Sequence, residues 1–192
     1  MSRSTQIQLA DANEWYTPRQ YIDAARLTMG GIDLDPASCA EANSIVGATR
    51  YYSTAENGLA QPWTGRVFLN PPYLSLTGNA GQYPAWTRKL VDSFELGFVE
   101  QAILLIPVHP ERRWFQPLYR YSICFCNHQP QFHRPGRGNA HIYHGLCFVY
   151  LGQRREMFAE QFSAFGNILQ CFRPAQTPAE LWQANIPQET LI

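Results

Sequence analysis

Asn70-Pro71-Pro72-Tyr73 follows directly on the apolar run Val67-Phe68-Leu69. Neither proline can donate a backbone hydrogen bond and each fixes its own φ, so a strand ending in Asn-Pro-Pro has left its ladder. The carbonyls of Asn70 and Pro71 are then without strand partners, and an aromatic ring stands directly behind them. Rigid acceptors beside a stacking surface can hold a planar amino group and aim its nitrogen at an electrophile. The plain alternative is a proline turn at a strand end, and the surrounding sequence has to decide between the two.

The elements that would position such a site can be read along the chain. The length of 192 residues suits one α/β domain. A hydrophobic content of 45% with 14% aromatics supports a packed core and excludes wholesale disorder. Residues 14–29 read as a loop and then a helix, with Thr17 as N-cap, Pro18 at the first helical position and Gly30-Gly31 as the stop. Ile32-Asp33-Leu34-Asp35 is a short strand ending at Pro36, 40–48 a short helix, and Arg50-Tyr51-Tyr52-Ser53 a second short strand. Asn57-Gly58 marks a turn before the strand Val67-Phe68-Leu69-Asn70. The stretch 74–84 is small, polar and glycine-rich and reads as a mobile loop beside the motif, with a helix over 85–96.

The run Ala102-Ile103-Leu104-Leu105-Ile106-Pro107-Val108 is the most apolar in the chain, as a central parallel strand requires. A helical turn follows at 114–118. Late strands are expected at 121–126 and 146–151, separated by a segment, 131–145, rich in Arg, His, Gly and Asn. Alternating strands and helices predict a doubly wound, mainly parallel sheet with helices on both faces and late strands partly antiparallel, a Rossmann-like arrangement. Ligands in such sheets bind outside the carboxyl ends of the strands, where Asp35-Pro36 and Asn70-Pro71 both stand. Residues 1–173 are expected to form a single domain with a basic insert near 131–145, and 174–192 a C-terminal tail.

The formal net charge is zero, but the charges are not evenly spread. Residues 1–102 carry 7 Lys+Arg against 10 Asp+Glu, residues 103–155 carry 7 against 1, and residues 156–192 carry 1 against 4. The middle stretch is therefore +6 between two segments of −3. Its cations are all arginine, whose planar fork suits phosphate and guanine edges. A solvated face is the plain reading of such an excess; a nucleic-acid surface is the sharper one. Arg112, Arg113, Arg134, Arg137 and Asn139 are the candidates for it. The segment His133-Arg134-Pro135-Gly136-Arg137-Gly138-Asn139 is either a plain hairpin loop or the element that reaches DNA, its glycines allowing close backbone approach. Because it lies far from both strand-end motifs in sequence, its arginines are expected to act independently of any cofactor site.

Five cysteines show no disulfide framework, and Met1-Ser2-Arg3-Ser4-Thr5-Gln6 has no apolar signal core. A reducing, cytoplasmic setting is expected, in a bacterial or phage-infected cell. Cys124, Cys126 and His128 alternate along one strand but lack the C-x2-C turn of a zinc site, so they read as core residues and no metal is expected.

Three elements now stand in order: Trp15-Tyr16-Thr17-Pro18, Asp33-Leu34-Asp35-Pro36-Ala37-Ser38 and Asn70-Pro71-Pro72-Tyr73, linked by Asn57-Gly58-Leu59 and Trp63. Together they resemble the phage-type DNA N6-adenine methyltransferases over roughly residues 13–151. The resemblance implies S-adenosylmethionine as cofactor and DNA as substrate. It gives Asn70, Pro71, Pro72 and Tyr73 the target amine. It gives the cofactor Tyr16, Thr17, Pro18, Asp35, Pro36 and Ala37, with Asp33, Glu56, Asn57 and Asn70 as further candidates. The chain departs from many amino-methyltransferases in having Ala37-Ser38-Cys39 where a Gly-rich turn usually follows Asp-Pro. The acidic ribose partner is left open between Glu41 and Glu56.

The chemistry also follows from the residues. The N6 amine of adenine is a poor nucleophile because its lone pair is delocalised into the ring. The Asn70 side-chain oxygen and the Pro71 carbonyl would bind its two hydrogens and favour a more tetrahedral nitrogen, in line with a sulfonium methyl. Tyr73 would stack on a base flipped out of the duplex. No cysteine follows a proline, as the nucleophile of cytosine-C5 methyltransferases typically does, so no covalent intermediate is expected. Planar amines of RNA, of cytosine N4 and of protein glutamine remain alternative substrates. A non-catalytic nucleic-acid-binding protein of the same fold is the alternative of another class.

Overall fold

The computed structural model describes residues 15–72, 83–134, 138–141 and 145–170. Seven strands form one sheet: β1 (Leu34–Asp35), β2 (Arg50–Tyr51), β3 (Gly65–Leu69), β4 (Val99–Pro107), β5 (Ser122–Cys126), β8 (Leu146–Leu151) and β9 (Gly166–Leu169). Their order is β2-β1-β3-β4-β8-β5-β9. The first four run parallel, with Leu34 opposite Val67 and Phe68 opposite Ile103. β8 then inserts antiparallel between β4 and β5, and β9 is antiparallel to β5. β6 (Gln131–Arg134) and β7 (Gly138–His141) form a separate antiparallel hairpin.

Alternation along the central strands builds two cores. Val67, Leu69, Ala102, Leu104, Ile106, Cys147, Val149 and Leu151 bury one face against α3 (Tyr83–Glu95) through Tyr83, Trp86, Leu90 and Val91. Phe68, Ile103, Leu105, Phe148 and Tyr150 bury the other against α1 (Arg19–Met29), α2 (Ala40–Val46) and α4 (Arg155–Phe162). With both faces covered, residues 102–107 are all buried, which is why β4 reads as an unbroken apolar run. This is an α/β methyltransferase-like fold, as the sequence predicts.

Several boundaries differ from expectation, each for a local reason. α1 begins at Arg19, with Pro18 as its cap residue and no side-chain cap, so Thr17 is not the N-cap. α2 is capped by Cys39, whose Sγ accepts from Ala42 N at 3.4 Å. α3 begins at Tyr83, two residues early, because Pro84 needs no donor in a first turn; the rest of the glycine-rich loop lies outside the described residues. The helical turn is a 3₁₀ turn over Gln116–Arg120. α4 and β9 have no counterpart among the elements expected from sequence. The 174–192 tail lies outside the described residues.

Candidate active site and nucleic-acid interface

Asp35 ends β1 and Asn70 follows the last residue of β3, so the two motifs leave neighbouring parallel strands at the same edge. Asp35 is a buried carboxylate, 3% exposed, and its Oδ1 accepts from Ala37 N at 3.2 Å across the Pro36 turn. Pro36 and Pro71 are buried, while Pro72 is exposed. Tyr73 lies outside the described residues.

Asn70 links the motif to the segment before α1. Its Nδ2 donates to the Trp15 carbonyl at 3.1 Å and to Thr17 Oγ1 at 3.2 Å. Its Oδ1 is buried and has no hydrogen-bond partner among the described residues. The orientation of the amide is settled by chemistry: a carbonyl can only accept, so nitrogen and not oxygen must face Trp15. The one acceptor left on this side chain is an oxygen without a partner, and buried acceptors are rarely left so in native proteins. Trp15 enters the site through its backbone carbonyl, and a backbone group leaves no trace in residue type.

The Tyr16-Thr17-Pro18 segment is held on several sides. Tyr16 N donates to His133 O at 2.9 Å and His133 N to Tyr16 O at 3.2 Å, a two-bond antiparallel bridge to the hairpin. The Tyr16 hydroxyl donates to Glu41 Oε2 at 3.3 Å and lies 3.3 Å from Cys39 Sγ. Trp15 meets the buried Phe132 edge-on at 5.9 Å. The hairpin, far from this segment in sequence, is joined to it in the fold: β6 pairs directly with the residue between Asn70's two partners. Distance in sequence concealed a strand pairing.

Both oxygens of Asp33 are taken by Arg66: Nε to Oδ2 at 2.8 Å, Nη2 to Oδ1 at 2.6 Å, and the backbone N to Oδ2 at 2.8 Å. These bonds hold its carboxyl below the usual range. The pair sits beside the first residues of β3, away from Asn70, and Arg66 Nη1 also reaches the Gly30 carbonyl at 2.6 Å. Asp33 thus tethers the strand starts to the end of α1 through Arg66.

Asn57 has a left-handed backbone, φ 54°, and Gly58 follows it. A Cβ on Gly58 would stand 1.9 Å from the Pro36 carbonyl oxygen, so only glycine lets this turn close on the Asp35-Pro36 loop. The buried Trp63 Nε1 donates to Gly58 O at 2.8 Å, and Lys89 Nζ to the carbonyls of Leu59 and Gln61 at 2.6 Å each. Glu56 is exposed, with Oε2 accepting from Ser53 N at 2.8 Å and Ser53 Oγ at 3.0 Å. Of the two acidic ribose candidates, Glu56 is thus engaged within its own loop and Glu41 is bonded to Tyr16.

Arg112 and Arg113 are exposed in the segment that leaves the carboxyl end of β4, the sheet edge that carries Asn70. Arg112 Nε also meets Glu111 Oε1 at 3.0 Å. Arg120, from the same basic stretch, pairs with Glu95 at 3.3 Å and serves the fold. Arg134 ends β6 and Asn139 lies in β7 opposite His133; Arg137 lies outside the described residues. An open groove of about 580 Å³ beside the first turn of α1 is lined by the cofactor candidate Pro18 together with Arg19, Gln20, Tyr21, His128, Gln129 and Gln131. Cys124 is buried in the α1 face, and burial pushes its thiol and that of Cys126 up to about 12. Among the described residues, no group of three His, Cys, Asp or Glu side chains could hold a metal ion.

The mixed sheet, a parallel half followed by antiparallel strands, with two strand-end motifs at one edge, is consistent with an α/β methyltransferase-like fold. The family model for DNA N-6-adenine-methyltransferase (Dam) matches residues 4–131, which is 128 of the 192 residues. The chain belongs to the DNA N-6-adenine-methyltransferase family. It is thus a DNA adenine methyltransferase, and DNA is its substrate. No match is found among curated proteins. Among the described residues no helix is long and apolar enough to cross a membrane.

Proposed function

We propose that this protein transfers the methyl group of S-adenosylmethionine to the N6 amine of an adenine flipped out of duplex DNA, at a specific site, by direct displacement. The observation that carries this reading is the Asn70 amide: both N–H groups point at fixed acceptors, and Oδ1 is left buried without a partner among the described residues. An acceptor desolvated in advance of its ligand needs no reorganisation when positive charge develops on the amine nitrogen. The Pro71 carbonyl supplies the second acceptor, and Tyr73 the stacking surface.

The residues at the strand ends fit the cofactor. The buried Asp35 carboxylate is suited to accept from its ammonium, and Tyr16, Pro18, Pro36, Ala37 and Asn57 are assigned to the same ligand, with Thr17 serving it only through Asn70. Bound there, S-adenosylmethionine supplies an electrophilic methyl on a sulfonium. The protein's own contribution is to exclude water, hold the amine and fix the approach. Arg112, Arg113, Arg134, Arg137 and Asn139 serve the DNA backbone and bases around the flipped nucleotide.

Tritium transfer from S-adenosylmethionine to duplex DNA, RNA and total protein, with nucleoside analysis of the product, tests the reading. N6-methyladenine in DNA alone is expected. Asn70→Ala should lower the rate on the order of a hundredfold or more and leave cofactor affinity within a few-fold. N4-methylcytosine, a labelled protein, or a variant keeping above about a tenth of the rate would overturn it.

A further inference from the structure

We propose that Thr17 is a positioning residue for methyl transfer: its hydroxyl, with the Trp15 carbonyl, fixes the Asn70 amide so that Oδ1 faces the substrate amine. The inference rests on the function proposed above and adds to it a residue that acts through Asn70 rather than on the substrate.

A threonine directly before a proline at a helix start ordinarily caps the helix. Here α1 begins at Arg19 and has no side-chain cap, so the Thr17 hydroxyl is not spent on α1. The side chain is nevertheless 4% exposed, and its Oγ1 accepts from Asn70 Nδ2 at 3.2 Å. An amide nitrogen has two hydrogens, and the two acceptors, Trp15 O and Thr17 Oγ1, account for both. Without the hydroxyl, one N–H of a buried amide has no partner, and a single bond is left to hold the amide plane. A rotated Asn70 presents donors where the amine's own hydrogens must be accepted. The loop should keep its place, because the Tyr16–His133 backbone bridge and the Trp15–Asn70 bond do not involve the Thr17 side chain.

The test uses the full chain with Thr17→Val, close in shape but without the hydroxyl, and Thr17→Ser, which restores it. Thr17→Val should lower kcat on duplex DNA by about tenfold to a hundredfold at saturating cofactor, as loss of alignment does. Calorimetry should find S-adenosylhomocysteine affinity within about threefold of wild type, and Thr17→Ser should recover most of kcat. Independently of activity, the two side-chain amide proton signals of Asn70 in a ¹⁵N spectrum should shift and exchange faster in Thr17→Val but not in Thr17→Ser.

Unchanged kcat or unchanged Asn70 signals in Thr17→Val would overturn the proposal. A loss confined to cofactor affinity would too, since Thr17 would then touch the cofactor directly. A serine variant as poor as valine would point to shape and also refute it. Failure of the underlying reading shows separately, as a wild-type chain that methylates no DNA.

Discussion

Asn70 carries the argument at the level of single residues because its two ends meet opposite demands. The nitrogen must donate, since Trp15 offers only a carbonyl, and the buried oxygen can only accept, which in the proposed reaction means from the substrate amine. Asn70→Asp tests both demands at once. Its carboxylate would accept from an amine at least as well, but it would set a second oxygen against the Trp15 carbonyl. Burial and that carbonyl both disfavour the charged form, so the introduced carboxyl should have a raised pKa. Once protonated, it regains the donor that Trp15 requires. Activity relative to wild type should therefore be low at about pH 8 and rise toward about pH 6. A pH-independent ratio would mean that the Trp15 and Thr17 bonds do not govern this side chain. Sequence alone made Asn70 legible, because Asn-Pro-Pro can be read from proline chemistry. It could not show Trp15, whose contribution is a backbone oxygen that any residue type would carry.

Between elements, two tethers hold the site's frame, and one of them can be broken without touching the chemistry. His133 N donates to Tyr16 O, so this N–H points away from β7, and proline at 133 removes the bridge donor while sparing the hairpin ladder. One hydrogen bond is worth about 1 kcal/mol net, so His133→Pro should weaken S-adenosylhomocysteine binding roughly fivefold. His133→Ala keeps the backbone donor and should bind like wild type. Equal affinities for all three would show that the hairpin does not support the cofactor segment. The second tether is Asp33–Arg66. Asp33's carboxyl is held low chiefly by the Arg66 side-chain bonds, so its stabilisation is present above the unfolded pKa near 3.9 and lost as pH falls through the lower folded value. With about a third of each side chain exposed, the pair is worth no more than about 1 kcal/mol. Asp33→Asn should thus cost stability at neutral pH, and the gap in urea midpoint should close below about pH 4. A gap that persists in acid would assign the loss to shape rather than charge.

These tethers also show why parts of the fold escaped the sequence. β1 has two residues, Leu34 and Asp35, yet proline punctuation marked its end. The Tyr16–His133 bridge joins segments 117 residues apart, and no local pattern announces such a pairing. In α4, Phe158 and Phe162 are both buried on the α1 face, but an eight-residue helix without a side-chain cap gives little to read. The doubly wound sheet itself was legible, because burial on two faces forces the continuous apolar run of β4.

For the molecule as a whole, zero net charge coexists with a basic edge, and the fold explains how. The segment after β4 and the β6–β7 hairpin belong to the +6 stretch, one at the sheet edge of Asn70 and the other bound to the loop that faces it. The acidic surplus is carried by the flanking stretches, so DNA can be attracted locally without a basic protein overall. If these arginines meet phosphates, Arg112→Ala with Arg113→Ala, and separately Arg134→Ala with Arg137→Ala, should each weaken duplex binding. The slope of log affinity against log salt should flatten by about 0.9 for each phosphate that is no longer neutralised. The hairpin pair should show a further effect that the β4 pair does not. Because β6 pairs with Tyr16, DNA held by the hairpin steadies the segment that partners Asn70, so saturating duplex should raise wild-type affinity for S-adenosylhomocysteine. Linkage requires the converse as well, with cofactor tightening DNA by the same factor. Arg134→Ala with Arg137→Ala should abolish that mutual gain, whereas Arg112→Ala with Arg113→Ala should lower DNA affinity and keep it. Two pairs that lose affinity and coupling alike would mean that the β6 bridge does not transmit DNA binding to the site.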